Sequence, residues 1–141
     1  MIRNAMMVLA LLATASWACS DGAGVDPIVT CTDDQQVTVN VERQHFGPRF
    51  TWEPRCGMAS LEVRDSNGLN RMWVVYSGAD APQNPLASGI TYGHVPPKGV
   101  TPGRARSLDR GATYQVLVYR WVGQPGGPGS LFGRGSARFT P

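Results

Sequence analysis

The sequence predicts an all-β fold, a single antiparallel β-sandwich of about seven strands. Three observations predict it. Short segments that alternate apolar and polar residues recur between turn signals. No stretch carries a convincing helical period. The 17 glycines and 11 prolines of the 141 residues punctuate the chain at short intervals.

The elements follow in order. In "QVTVNVER", Val37, Val39 and Val41 share one face. "PRFTWEP" puts Phe50 and Trp52 together, and "ASLEVRD" does the same for Leu61 and Val63 before "SNGLN" turns the chain. "RMWVVYSG" sets Trp73 and Val75 on one face and Met72, Val74 and Tyr76 on the other. A loop runs from Ala79 to Ala87. "SGITYGHV" is a further short extended piece closed by "PPKG". "ATYQVLVYRWV" is the longest strand. "GQPGGPGS" reads as irregular, the loop joining the last two strands, and "GRGSARFTP" closes the chain. There is no internal repeat.

The first residues read as an export signal. Met1 to Asn4 carries one positive charge, Arg3, and Ala5 to Thr14 is an apolar run. That run is shorter than the roughly 20 residues needed to span a bilayer. "SWA" before Cys19 suits ordinary signal cleavage. It also resembles a bacterial lipobox, in which the cysteine after the cut is acylated, although Ser16 and Trp17 depart from the usual pattern. On the lipobox reading residues 1–18 are a signal peptide and Cys19 is the lipidation site. Residues 19–30 are then a flexible tether and residues 31–141 the sandwich. Ser20 after the cysteine points to the outer membrane by resemblance to enterobacterial lipoproteins. Ordinary cleavage would instead give a periplasmic or secreted protein.

Export permits a disulfide. With Cys19 spent on the anchor, Cys31 and Cys56 are left as a pair on adjoining pieces of the fold. Two free thiols or a metal site are the alternatives. A zinc site needs further ligands, and neither His45 nor His94 has ligand spacing to a cysteine.

Charge is unevenly distributed. Residues 19–42 hold Asp21, Asp26, Asp33, Asp34 and Glu42 and no base. Residues 43–141 hold 12 bases against 5 acids, with Lys98 the only lysine. A basic body favours anionic partners such as lipopolysaccharide or an acidic polysaccharide. A soluble arginine-rich surface is the plainer reading. The arginines look scattered along the chain, which with export argues against nucleic acid.

"SLDRGATYQVLVYRW" carries the most specific fold signal. Leu108, Gly111, Tyr114, Val116 and Val118 resemble the L-x-x-G-x-x-Y-x-V-x-V pattern of fibronectin type III domains, which are immunoglobulin-like sandwiches. The resemblance implies that Leu108 plugs the sandwich end and Gly111 permits a tight turn. It also implies that Tyr114 is buried with its hydroxyl bonded to nearby backbone, and it makes Trp52 of "FTWEP" the core tryptophan. The cysteine pair departs from ordinary type III domains. "FTWEPRCGMASLEV", "MWVV", "SGITYGHVPPKGV", "LDRGATYQVLV" and "ARFTP" together resemble a group of uncharacterised bacterial lipoproteins, for which no activity is implied.

No catalytic constellation stands out: there is no G-x-S-x-G, H-E-x-x-H, P-loop or G-x-G-x-x-G. No cofactor or metal is expected, and His45 and His94 read as surface or turn residues. Two binding candidates remain. Leu117, Tyr119 and Trp121 fall on the face of the longest strand opposite Val116 and Val118, as an apolar and aromatic row. Arg120 falls on the core side, near enough to the strand end to reach water. Leu131, Phe132 and Arg134 stand at the tip of the glycine-rich loop. The expectation is a non-catalytic binding or scaffold module, held to the membrane by its N-terminal lipid. Its partner is an envelope protein or an anionic glycan rather than nucleic acid. A self-associating structural component is the alternative, and an exported enzyme a weaker one.

Overall fold

The computed structural model describes residues 31–78, 84–124 and 127–141. The expected signal peptide, Cys19 and the tether lie outside the described residues, as does much of the loop from Ala79. The described residues form eight strands and no helix. They are β1 (Thr38–Glu42), β2 (Arg49–Glu53), β3 (Ser60–Asp65), β4 (Arg71–Ser77), β5 (Ile90–Thr91), β6 (Gly99–Val100), β7 (Tyr114–Gly123) and β8 (Gly129–Phe139). Two antiparallel sheets result, ordered β1-β2-β5 and β6-β4-β3-β7-β8. Their inner faces pack against each other as a β-sandwich.

The alternation in the sequence builds this core. Val39, Phe50, Trp52 and Ile90 from the smaller sheet meet Leu61, Val63, Trp73, Val75, Val116 and Val118 from the larger. Each large apolar side chain buried there contributes about 1.5–3 kcal/mol. Trp52 is fully buried, and its indole Nε1–H donates to the Cys56 carbonyl at 2.7 Å. Its backbone N–H donates to Ser88 Oγ at 2.8 Å.

A disulfide joins Cys31 to Cys56, with Cα atoms 5.2 Å apart, and ties the start of the described chain to the connection that follows β2. Closing a loop of this length contributes roughly 3–4 kcal/mol in the chain-entropy account.

The turn into β7 has the corner geometry that its residues imply. Gly111 sits at φ +85°, a region open to glycine. Tyr114 is buried, and its hydroxyl accepts the Asp109 backbone N–H at 2.9 Å. Leu108 packs against the core.

Three places differ from the sequence reading. "SGITYGHV" supplies only the two residues of β5 before turning at Tyr92 and Gly93, where Gly93 takes φ +78°. β8 begins inside the glycine-rich stretch and runs eleven residues along β7, with one register shift. Leu131, Phe132 and Arg134 therefore lie in a strand, not at a loop tip. The partner strand overrides the weak propensity of Gly129, Gly133 and Gly135. Arg120 does not reach water: it is 5% exposed, and its guanidinium meets Asp33 Oδ1 at 3.3 Å.

The open side of the sandwich is a seam between β1 and β8, the edge strands of the two sheets. It closes at one end, where the Val37 N–H donates to the Arg134 carbonyl at 2.9 Å. Gly135 makes this approach possible. A Cβ there would stand 2.5 Å from the Val37 carbonyl oxygen and 2.9 Å from Val39 Cγ2.

Candidate functional site

Two surfaces carry the functional candidates, at opposite ends of β7. Six residue steps from Tyr114 to Arg120 separate them, a rise of roughly 20 Å.

The first surface is the far end of the β7–β8 hairpin. Period 2 puts Leu117, Tyr119 and Trp121 on the outer face of the larger sheet, all half-buried. Trp121 pairs with Leu131 across the hairpin, and Arg120 with Phe132. Leu131 and Trp121 therefore share the outer face. A shift in the pairing between Val118 and Tyr119 leaves Arg134 as the extra residue of β8. Its guanidinium lies 5.6 Å from the centre of the Phe132 ring. Leu131 and Phe132 remain exposed. Gly129 lies under the Trp121 indole, where a Cβ would stand 2.6 Å from Cζ2. Asn84 fixes the strand here: its Oδ1 accepts the Trp121 N–H at 2.8 Å, and its Nδ2 donates to the Trp121 carbonyl at 3.1 Å.

The row from Leu117 to Trp121 is not covered directly by Met72, Val74 and Tyr76, because β3 runs between β7 and β4. Glu62 lies between Val74 and Leu117, and Ser60 between Tyr76 and Tyr119. Glu62 is only 5% exposed although it stands on the outer face. Its Oε2 accepts from Arg64 Nη2 at 2.8 Å, and its Oε1 accepts from Arg71 Nε. Burial pushes the Glu62 carboxyl up, but the hydrogen bonds and charges of Arg64 and Arg71 outweigh it and hold it below its ordinary value. Burial raises the Tyr119 hydroxyl, and the charge of Glu62 adds to that.

The second surface escaped the sequence reading. Where the seam opens, a groove of about 820 Å³ lies between β1, the turn after it, the segment before β7 and the end of β8. Arg43, Arg106, Arg110 and Arg138 line it together with His45, and no Asp or Glu does. Asn40, Gln44, Ser107 and Thr140 add neutral hydrogen-bonding groups. Arg49, Arg55, Arg64, Arg71 and Arg120 form ion pairs elsewhere, whereas none of the four groove arginines does among the described residues. The arginines that look scattered in sequence come from three separate segments and converge only in the fold.

Local structure positions each wall. The chain turns after β1 with the Gly47 N–H donating to the Gln44 carbonyl at 3.2 Å and Gly47 at φ +120°. Arg43 Nη2 donates to the Thr140 carbonyl at 3.2 Å and bridges β1 to the chain beyond β8. Tyr92 holds the segment before β7. Its hydroxyl donates to the Arg106 carbonyl at 2.8 Å, while the Arg106 N–H donates to the Met72 carbonyl at 3.0 Å. Burial, with Tyr114 nearby, pushes the Tyr92 hydroxyl up to about 12, so it remains a donor throughout the physiological range.

His94 is not in the groove lining, and His45 lies there with no Asp or Glu in the same lining. Among the described residues no three His, Cys, Asp or Glu side chains gather as a metal site would need. In comparisons with known proteins, no family model, curated protein or solved structure matches the chain.

Proposed function

We propose that this protein is a cell-envelope binding module: a fibronectin type III-like sandwich, non-catalytic, held to the outer membrane through a lipid on Cys19. One observation carries the reading. The two ends of the sandwich differ in kind. At one end Cys56 and Arg120 hold the N-terminal segment, through the disulfide to Cys31 and the ion pair with Asp33. At the other end lies the open, arginine-lined groove. An anchored domain built this way presents its groove away from its point of attachment.

The type III-like assignment is supported by the strand order, β1-β2-β5 facing β4-β3-β7-β8 with the two-residue β6 added at the β4 edge, and by the corner at Leu108, Gly111 and Tyr114. The anchor is supported by the sequence around Cys19 alone. A binding role fits a fold whose polar groups converge on an open groove rather than on a nucleophile with a base.

Photocrosslinking in intact cells tests the module, with the crosslinking amino acid placed at Gln44 in the groove and, separately, at Leu131 on the hairpin. Mass spectrometry of the same samples reads the mature N-terminus. The expected result is an adduct with another envelope component from at least one position, and an acylated peptide beginning at Cys19. No adduct from either position would sink the binding role. An unmodified peptide from Cys19, or an N-terminus elsewhere, would sink the anchor. Adducts formed only with a second copy would favour the self-associating alternative.

A further inference from the structure

We infer that the arginine-lined groove is a binding site for an acidic polysaccharide, a glycan chain bearing carboxylate or phosphate groups. The inference rests on the reading of the protein as a binding module and assigns that module its ligand class and its site. Arg43, Arg106, Arg110 and Arg138 gather with His45 around one groove whose lining contains no Asp or Glu. Gathering like charges in this way is unfavourable for the empty protein and favourable once an anion enters. The cations are arginines rather than lysines. The planar guanidinium suits paired hydrogen bonds to a carboxylate or phosphate.

The rest of the lining fits a sugar backbone. Asn40 and Gln44 provide amides, and Ser107 and Thr140 provide hydroxyls. The volume of about 820 Å³ and the open shape suit a stretch of chain that passes through rather than a small enclosed anion.

Other anionic macromolecules fit less well. An acidic peptide that adds as a strand needs a free sheet edge. At the closed end of the seam the Val37 N–H is already bonded to the Arg134 carbonyl, and at the open end the Arg43 side chain reaches across to the Thr140 carbonyl just beyond β8. A lipid surface calls for an apolar cluster beside the charges. Among the described residues the large exposed apolar side chain of the turn beside the groove is Phe46 alone. Single-stranded nucleic acid calls for successive free aromatic faces, and Tyr92 and Phe139 of the lining are packed against Trp73 and Phe50.

The test is titration calorimetry on the mature protein at low ionic strength. The ligands are polygalacturonate, neutral dextran, polyglutamate and vesicles containing phosphatidylglycerol. The expected result is saturable binding of polygalacturonate, weakened at least tenfold in an Arg106→Gln, Arg138→Gln double variant and several-fold in the corresponding double lysine variant. Dextran should not bind. Both arginines are exposed, and an unchanged denaturation midpoint at high salt will show that the variants fold. Equal affinity of wild type and the glutamine variant for polygalacturonate would overturn the proposal. So would tighter binding of polyglutamate or of the vesicles, which would give the groove a protein or membrane partner. A protein adduct from Gln44 in cells would overturn the glycan assignment and leave the module intact, whereas the absence of any adduct removes the module as well.

Discussion

Glu62 stands on the outer face of β3, where alternation directs a side chain to water, yet it is buried beneath its neighbours. Val74 and Leu117 flank it in register, and Arg64 and Arg71 close over its two oxygens. The arrangement explains why β3 is buried on both faces. It also sets a pH dependence. The folded-state pKa of Glu62 lies below its ordinary value, and an unfolded glutamate titrates near ~4.3. The stabilisation is therefore complete above the unfolded value and is lost as pH falls through the folded one. Glu62→Gln removes the charge and replaces one of the two acceptor oxygens by an NH2 donor, so only one guanidinium keeps an acceptor. Because Arg64 and Arg71 are partly solvated, the expected loss at neutral pH is about 1–3 kcal/mol. Urea denaturation between pH 7 and pH 3 should show the gap between wild type and variant narrowing as the pH falls. A gap that stays constant would show that the ion pairs contribute nothing.

At the scale of the element, β8 is the strand that sequence reading describes least well. Its glycines suggest an irregular loop, because a residue without Cβ carries little preference for extended backbone. What extends β8 is β7, which pairs with every residue of it but Arg134, out to Gly123 opposite Gly129. Period 2 along β7 was legible, because Tyr114, Val116 and Val118 alternate with Leu117, Tyr119 and Trp121. The partner's length was not, because pairing is non-local. Gly135 shows that the glycines also have separate duties. A methyl at Gly135 would press on the Val37 carbonyl, just before β1, at 2.5 Å, whereas a methyl at Gly133 would meet Tyr119 Cε1 at an ordinary 3.8 Å. Gly135→Ala should therefore destabilise the fold by about 1–3 kcal/mol through overpacking of the seam. Gly133→Ala should stay within about 0.5 kcal/mol. Chemical denaturation of the two variants separates these outcomes, and equal effects would mean that the seam does not close through Gly135.

For the whole molecule, the groove is a product of tertiary folding alone. Arg43 leaves β1, Arg106 and Arg110 belong to the segment before β7, and Arg138 is near the end of β8. No local pattern links them, so their convergence had no signature in the sequence, although the excess of bases after residue 42 did. Convergence has an energetic consequence that does not depend on which ligand binds. Four guanidinium groups around one groove repel one another, and water and salt weaken that repulsion without removing it at low ionic strength. Replacing Arg106 and Arg138 by glutamine relieves it. In ligand-free protein the double variant should unfold at a higher urea concentration than wild type at about 0.01 M salt, where charges act over roughly 30 Å. At about 1 M salt, where the range falls to roughly 3 Å, the two should coincide. With a saturating polyanion the order should reverse, because a ligand held only by the folded state adds about 2.7 kcal/mol at a hundredfold excess over Kd. The variant should gain less than wild type. A double variant less stable than wild type in low salt without ligand would mean that these arginines hold the fold together, and that their clustering serves packing rather than an anion.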